Sequence, residues 1–216
     1  MKTDAQIKKD IQEELDWDPA VRATDIGVIV KEGVVTLTGH LGSFAEKQAA
    51  EQAVQRVGGV KAVAIEMDVH LHTDDARSDT DIAAAADHAL QWNTSVPRGK
   101  VRLQVEGGWV TLSGGVDWDY QRRAAEHAVQ NLVGVVGVTN RIAIEPHVSP
   151  VDIQKGIEGA LTRHAEREAR HLQVLVDGSR VTLKGRVHSW AESQAAQGAA
   201  WSAPGVTRVD NQLVLG

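Results

Sequence analysis

One seven-residue phrase occurs three times in this chain of 216 residues. It reads Gly33-Val34-Val35-Thr36-Leu37-Thr38-Gly39, then Gly108-Trp109-Val110-Thr111-Leu112-Ser113-Gly114, then Ser179-Arg180-Val181-Thr182-Leu183-Lys184-Gly185. The second copy lies 75 positions after the first and the third 71 after the second, and these offsets hold without a gap across each unit. Ile7, Ile82 and Ile153 align, as do Leu15, Leu90 and Leu161, and Gly59-Val60 matches Gly134-Val135 and Gly205-Val206. A fixed internal period of this kind constrains the fold more than any composition does. We read three domains, 3–72, 78–147 and 149–216. The first join, 72–78, is polar. The second, 145–150, is bracketed by Pro146 and Pro150, which makes it stiffer, and the four-residue difference between the offsets falls there.

Within each unit the hydrophobic spacing gives the same order. Ile7, Ile11 and Leu15 step by four, as do Ile153, Ile157 and Leu161, the pattern of an amphipathic helix. Ile26, Val28 and Val30 alternate, with Val101, Leu103 and Val105 and then Leu172, Val174 and Val176 at matching places, the period of a strand. Tight turns are expected at Glu32-Gly33, Gly107-Gly108 and Asp177-Gly178, returning the Val-Thr-Leu strand as a hairpin. Ser43 with Glu46 and Ser189 with Glu192 open a second, alanine-rich helix as capping boxes. A Gly-Val turn then leads to a last strand. The predicted fold is α+β: three tandem α-β-β-α-β units, each with two helices on one face of a three-stranded mixed sheet. The other face, carrying Thr36, Thr38, Thr111, Ser113 and Lys184, is expected to be polar. Units near 70 residues have marginal cores, so they are expected to pack on one another. Gly39, Gly114 and Gly185 close the second strand, where glycine weakens pairing. They are expected to be structural, set where the backbone bends or is closely approached, rather than ligand contacts.

The ordered set of Val-Thr-Leu-x-Gly, a Ser-x-x-Glu helix start, an alanine-rich helix and a Gly-Val ending resembles the BON domain (bacterial OsmY and nodulation). The ending is Gly59-Val60-Lys61-Ala62-Val63, Gly134-Val135-Val136-Gly137-Val138-Thr139-Asn140 and Gly205-Val206-Thr207-Arg208-Val209-Asp210-Asn211, with Ile65 where the first unit departs from the asparagine. The resemblance covers nearly the whole chain. It implies an α-β-β-α-β fold and non-enzymatic roles in osmotic stress, envelope maintenance and binding to anionic phospholipids. Most members are exported. A cytoplasmic branch joins one such domain to a second module and binds potassium, and no such module is visible here.

Composition and motifs narrow the chemistry. No run of 18 apolar residues occurs, so no transmembrane segment is expected. The first 20 residues are charged throughout and lack an apolar stretch, so the chain as given is expected to be cytoplasmic, or periplasmic if a leader was removed. The absence of cysteine excludes disulfides and thiolate chemistry, and a net charge of −6 argues against nucleic acid as the partner. There is no nucleophile elbow, P-loop or dinucleotide fingerprint, so no enzyme and no cofactor are expected. His70 and His72 share a strand face with Asp74 and Asp75 nearby. A divalent ion needs a further converging ligand, and the pair is not repeated, so no metal site is assigned. Trp17 and Trp92 end the first helices of two units and are expected to roof small cores rather than face a partner.

Charge is uneven. Residues 1–74 carry a net −5, residues 75–147 a net −2 and residues 148–216 a net +1. In the last unit Arg163, His164, Arg167, Arg170 and His171 cluster, and the three arginines fall on one face if the first helix continues through a stretch where the other units have proline. A solvated face in which Arg163 and Arg170 pair with Glu166 is the simpler account. The cluster, with Trp190, is nonetheless the candidate lipid-binding patch of the chain. Two partner classes follow: an anionic phospholipid surface or an envelope-associated protein on one side, and potassium held by backbone carbonyls on the other.

Overall fold

The computed structural model describes residues 2–71, 75–145, 157 and 172–215. The first repeat runs α1 (Asp4–Trp17), a single 3-10 turn (Ala23–Asp25), β1 (Ile26–Lys31), β2 (Val34–Leu41), α2 (Phe44–Arg56) and β3 (Ala62–Val69). The second runs α3 (Asp79–Trp92), β4 (Val101–Glu106), β5 (Trp109–Val116), α4 (Asp119–Gln130) and β6 (Gly137–Ile144). In the third, β7 (Leu172–Asp177), β8 (Arg180–Val187), α5 (Trp190–Trp201) and β9 (Arg208–Leu215) are described. Its expected first helix lies outside the described residues apart from Ile157, which is helical and fully buried. The densest packing groups residues 1–90, 103–111 and 127–139 into one compact unit and residues 91–102, 112–126 and 140–216 into another.

Each sheet has three strands in sequence order. β1 and β2 are antiparallel and β2 and β3 parallel, and the same holds for β7, β8 and β9. The registers superpose at the sequence offset: Ile26 faces Gly39 and Leu172 faces Gly185, while Val34 faces Ala62 and Arg180 faces Arg208. Two-residue periodicity sends Val35, Leu37 and Leu41 to one face of β2, where they meet Ile7, Ile11 and Leu15 of α1 and Ala50, Ala53 and Val54 of α2 in one buried cluster. Both helices therefore cover the same face. Alanines on α2 let the helix lie close to the sheet, and each buried aliphatic side chain contributes about 1.5–3 kcal/mol. The opposite face is less polar than expected. Ile29, 60% exposed, lies beside Thr36, and the exposed Leu175 lies beside Thr182.

The helix starts are capped as the sequence indicates. Ser43 Oγ accepts from Glu46 N at 3.1 Å and Ser189 Oγ from Glu192 N at 3.2 Å. In the second repeat Gln121 takes the glutamate's place, its Oε1 accepting from Asp117 N and Trp118 N at 3.0 and 3.1 Å. The third hairpin is displaced by one residue from its expected place. Asp177 pairs with Arg180, so the turn is Gly178-Ser179, with positive φ (57°) at Gly178. Only one of its two central residues has positive φ, as in a type II′ turn, whereas Glu32 and Gly33 both do (54° and 80°), as in type I′.

A feature absent from the sequence reading fixes the other two hairpins. Asp4, in the first turn of α1, accepts from Glu32 N and Gly33 N at 2.7 and 3.0 Å. Asp79 does the same for Gly107 N and Gly108 N at 2.9 and 2.8 Å. One carboxylate thus satisfies two turn amides that no strand can pair. In the third repeat the corresponding position is Pro150, and Ser179 Oγ instead meets Thr207 Oγ1 at 2.8 Å.

At Gly39 (φ +144°) a Cβ would sit 2.1 Å from the carbonyl oxygen of Asp25, and at Gly114 (φ +121°) 2.1 Å from that of Lys100. Gly185 has φ +133°. Replacing Gly39 or Gly114 by valine is expected to destabilise its repeat by about 1–3 kcal/mol from backbone conformation alone, with the steric clash adding to this. Thermal unfolding indistinguishable from wild type would show that the strand tolerates a side chain there. Asp4→Ala and Asp79→Ala are each expected to cost about 1.5–3 kcal/mol, the usual worth of hydrogen bonds to a charged group. A urea midpoint unchanged by both substitutions would remove the clamp.

Candidate functional site

Arg163, His164, Arg167, Arg170 and His171 lie outside the described residues. Trp190 is described and opens α5, half-buried, directly after the N-cap Ser189. Next to it His188 N donates to Glu192 Oε2 at 2.7 Å, which holds the glutamate at the helix start.

The tryptophans that end the first helices do not roof the cores. Trp17 is 82% and Trp92 77% exposed. Ile7, Ile11 and Leu15 already fill the space under α1, and Trp17 falls two residues past that stripe, on the solvent side of the last turn. Trp17 lines an open groove of about 580 Å³ with Asp10, Glu13, Glu14 and Arg56. Arg56 bridges Glu14 at 2.6 Å and Asp18 at 3.0 Å, so its guanidinium is held charged more firmly than usual. The Asp18 carboxyl is held below its ordinary value first by the Ala20 N–H at 3.1 Å and then by Arg56. On α2, burial pushes the Glu51 carboxyl up, opposed by Lys47. The groove also takes in Lys2, which pairs with Asp10 at 2.6 Å, so both of its cations are engaged by its own acids.

Trp109 lies across its own sheet. Its ring passes 2.5 Å from where a Cβ on Gly137 would stand, and its Nε1 donates to Thr139 Oγ1 at 2.8 Å. His70 stacks on His40, with centroids 4.5 Å apart and planes 10° from parallel. His72 and Asp74 lie outside the described residues, and among the described residues no three His, Asp or Glu side chains group as metal ligands.

Two further arrangements escaped the sequence reading. Asp119, at the start of α4, is buried and pairs with Arg122 and with Arg123 Nε, the latter at 2.8 Å. The Arg122 guanidinium in turn lies 4.7 Å from the ring centre of Trp201, a cation–π contact from the second repeat to the third. No pattern signals it, because Phe44 and Trp190 occupy the positions matching Asp119. The asparagines of the Gly-Val endings join strand to helix. Asn140 Nδ2 donates to Arg122 O and Glu126 Oε2, both at 3.0 Å, and Asn211 Nδ2 meets Ser193 Oγ at 2.9 Å.

The Asp18 geometry sets a pH dependence. Its folded-state pKa lies below the unfolded value near 3.8, so its contribution is complete above that value and fades as pH falls through the lower folded one. Because the Arg56 end of the pair is about half exposed, the effect is modest, at most about 1 kcal/mol. Asp18→Asn is expected to lower stability at pH 7 and to approach wild type only as pH falls through the lowered folded-state value. An equal difference at pH 7 and below that value would contradict this.

Among the described residues no helix is long and apolar enough to cross a membrane. A BON domain family model matches residues 3–70, 78–146 and 151–216. The chain is 36% identical over 129 residues to osmotically-inducible protein Y of Escherichia coli (strain K12). That match covers 56% of this chain and 62% of the relative, so the chain spans less than two thirds of the relative's length. Two solved chains of CdsD, a structural protein of the type III secretion system of Chlamydia trachomatis, are 17% and 16% identical with a TM-score of 0.27. Their matches cover 96% and 100% of this chain and 91% and 100% of theirs, and a superposition at that score transfers nothing about function. Three matched segments that together take in nearly every residue, with the strand registers repeating at the sequence offsets, make this chain a member of the BON domain family that carries the domain three times.

Proposed function

We propose that this protein is a non-catalytic, stress-associated binding or scaffold protein whose ligand is an anionic phospholipid surface. The observation that carries this reading is the threefold match to the BON family together with the similarity to a protein named for osmotic induction. Charge supports the ligand class. The net charge rises from −5 over residues 1–74 to +1 over residues 148–216, and Arg163, Arg167 and Arg170 concentrate the positive charge. Each basic group near an anionic surface contributes about 1 kcal/mol, so three of them, opposed by an acidic first repeat, give weak and reversible attachment. Trp190 adds an amphipathic ring suited to a headgroup layer.

Vesicle co-sedimentation tests the reading. Wild type is expected to bind phosphatidylglycerol vesicles and not neutral ones. Binding should fall steeply with salt, because the attraction is screened beyond about 8–10 Å at physiological ionic strength. It should strengthen as pH falls and the histidines of the cluster gain charge. The triple variant Arg163→Ser, Arg167→Ser, Arg170→Ser is expected to lose most of this binding. Equal sedimentation of both proteins would remove the arginine cluster as the contact. No sedimentation of either, with a potassium-dependent change in tryptophan fluorescence, would overturn the lipid reading in favour of an ion sensor.

A further inference from the structure

The open sheet face of the third repeat is basic where the same face of the first is acidic. Along β8 the outward positions are Arg180, Thr182, Lys184 and Arg186, while Val181 and Leu183 turn inward to meet Ala196 and Ala200 of α5. The acids of this face stand toward the hairpin turn. Asp210 accepts from Arg208 Nε at 2.9 Å and lies 3.7 Å from Arg180 Nε, and Asp177 stands opposite Arg180. Toward the other end no acid is in register. Lys184 stands between Gln173 and Gln212, and Arg186 stands beside Val214. Among the described residues neither of these two cations has an ion-pair partner. The first sheet has the same register with the charges reversed: there Thr38 stands beside Glu66 and His40 beside Asp68. One backbone thus accepts either sign at these two rungs, so the fold itself does not require Lys184 and Arg186.

Aliphatic side chains share this face with the cations. Val214, beside Arg186, is 59% exposed, and Leu175, one rung from Lys184, is 44% exposed. Unpaired cations next to exposed aliphatic groups match the layering of an anionic lipid surface, with phosphates outermost and hydrocarbon beneath. A single-stranded nucleic acid calls instead for aromatic rings on which bases stack, and the outward positions of β7, β8 and β9 hold none. We infer that the open sheet face of the third repeat is a second membrane-contact surface, on which Lys184 and Arg186 take the phosphates of anionic phospholipid while Val214 and Leu175 reach the acyl boundary. The inference rests on the lipid reading above and uses none of Arg163, Arg167 and Arg170.

The test uses the 216-residue chain with phosphatidylglycerol vesicles and with neutral phosphatidylcholine vesicles. The double variant Lys184→Ser, Arg186→Ser changes two exposed side chains and is expected to keep the wild-type thermal melt. Its co-sedimentation with phosphatidylglycerol is expected to weaken roughly ten- to thirty-fold, the loss that goes with two basic groups at an anionic surface. Because the chain has no cysteine, Val214→Cys carries a single environment-sensitive dye. Its emission is expected to shift to the blue on phosphatidylglycerol vesicles and not on neutral ones, and the dye on Asp68→Cys, at the matching place in the first repeat, is expected to show no shift. Wild-type binding matched by the double variant overturns the inference and leaves the lipid reading standing. So does vesicle binding with a blue shift that is absent at residue 214 or equal at residue 68. No vesicle binding by wild type overturns both. A shift at residue 214 with a single-stranded oligonucleotide and none with vesicles assigns the face to nucleic acid and also overturns the inference.

Discussion

A carbonyl oxygen fills the space in which a side chain at the end of the central strand would begin. In the first repeat this is Asp25 O against Gly39, in the second Lys100 O against Gly114, at the same 2.1 Å from an ideal Cβ. The approach brings the segment entering the first strand hard against the second, and further contacts lock the same corner. Glu46 Oε1 accepts from Arg22 N at 2.9 Å and Oε2 from Gly42 N at 3.0 Å, tying the incoming loop and the outgoing strand to the first turn of α2. Glu46 is buried there with both oxygens occupied, which is the condition under which a buried carboxylate is tolerated. Loop, sheet and second helix thus meet at one point, and the helix is aimed across the sheet from it.

The fold was legible because its two periods are clean. The steps of four in Ile7, Ile11 and Leu15 and of two in Ile26 and Val28 mark residues that the structure buries together. The misread positions share a cause, namely that local signals were outweighed by pairing or by space already filled. Asp177-Gly178 is a stronger turn signal than Gly178-Ser179, but the pairing of Asp177 with Arg180 keeps the aspartate in the strand. Trp17 and Trp92 are the bulkiest residues near small cores, yet the aliphatic stripes ending two residues earlier, at Leu15 and Leu90, have closed those cores. Asp4 and Asp79 look like ordinary first-turn acids, and their bonds to turn amides 28 and 29 residues away leave no mark in local sequence. The cationic cluster of the third repeat was legible as charge and spacing alone.

Three repeats with one backbone have separate surfaces. The position that opens the second helix is Phe44, Asp119 and Trp190 in turn, and a matching position in its last turn is Gln55, Gln130 and Trp201. Core positions are fixed by volume, whereas these edge positions are free to diverge because each answers to a different neighbour. The Asp119–Arg122–Trp201 chain shows the result: a buried carboxylate orients a guanidinium that stacks on an indole of the following repeat.

Amide hydrogen exchange across the native chain addresses the central claim, that the chain repeats one three-stranded sheet three times, each with its middle strand paired on both sides. The middle strands, 34–41, 109–116 and 180–187, are the ones with a neighbour on both sides. The account predicts that their amides exchange slowest, in three maxima separated by 75 and 71 residues, with the outer strands faster in each repeat. A middle strand exchanging as fast as its outer neighbours in any repeat would contradict it.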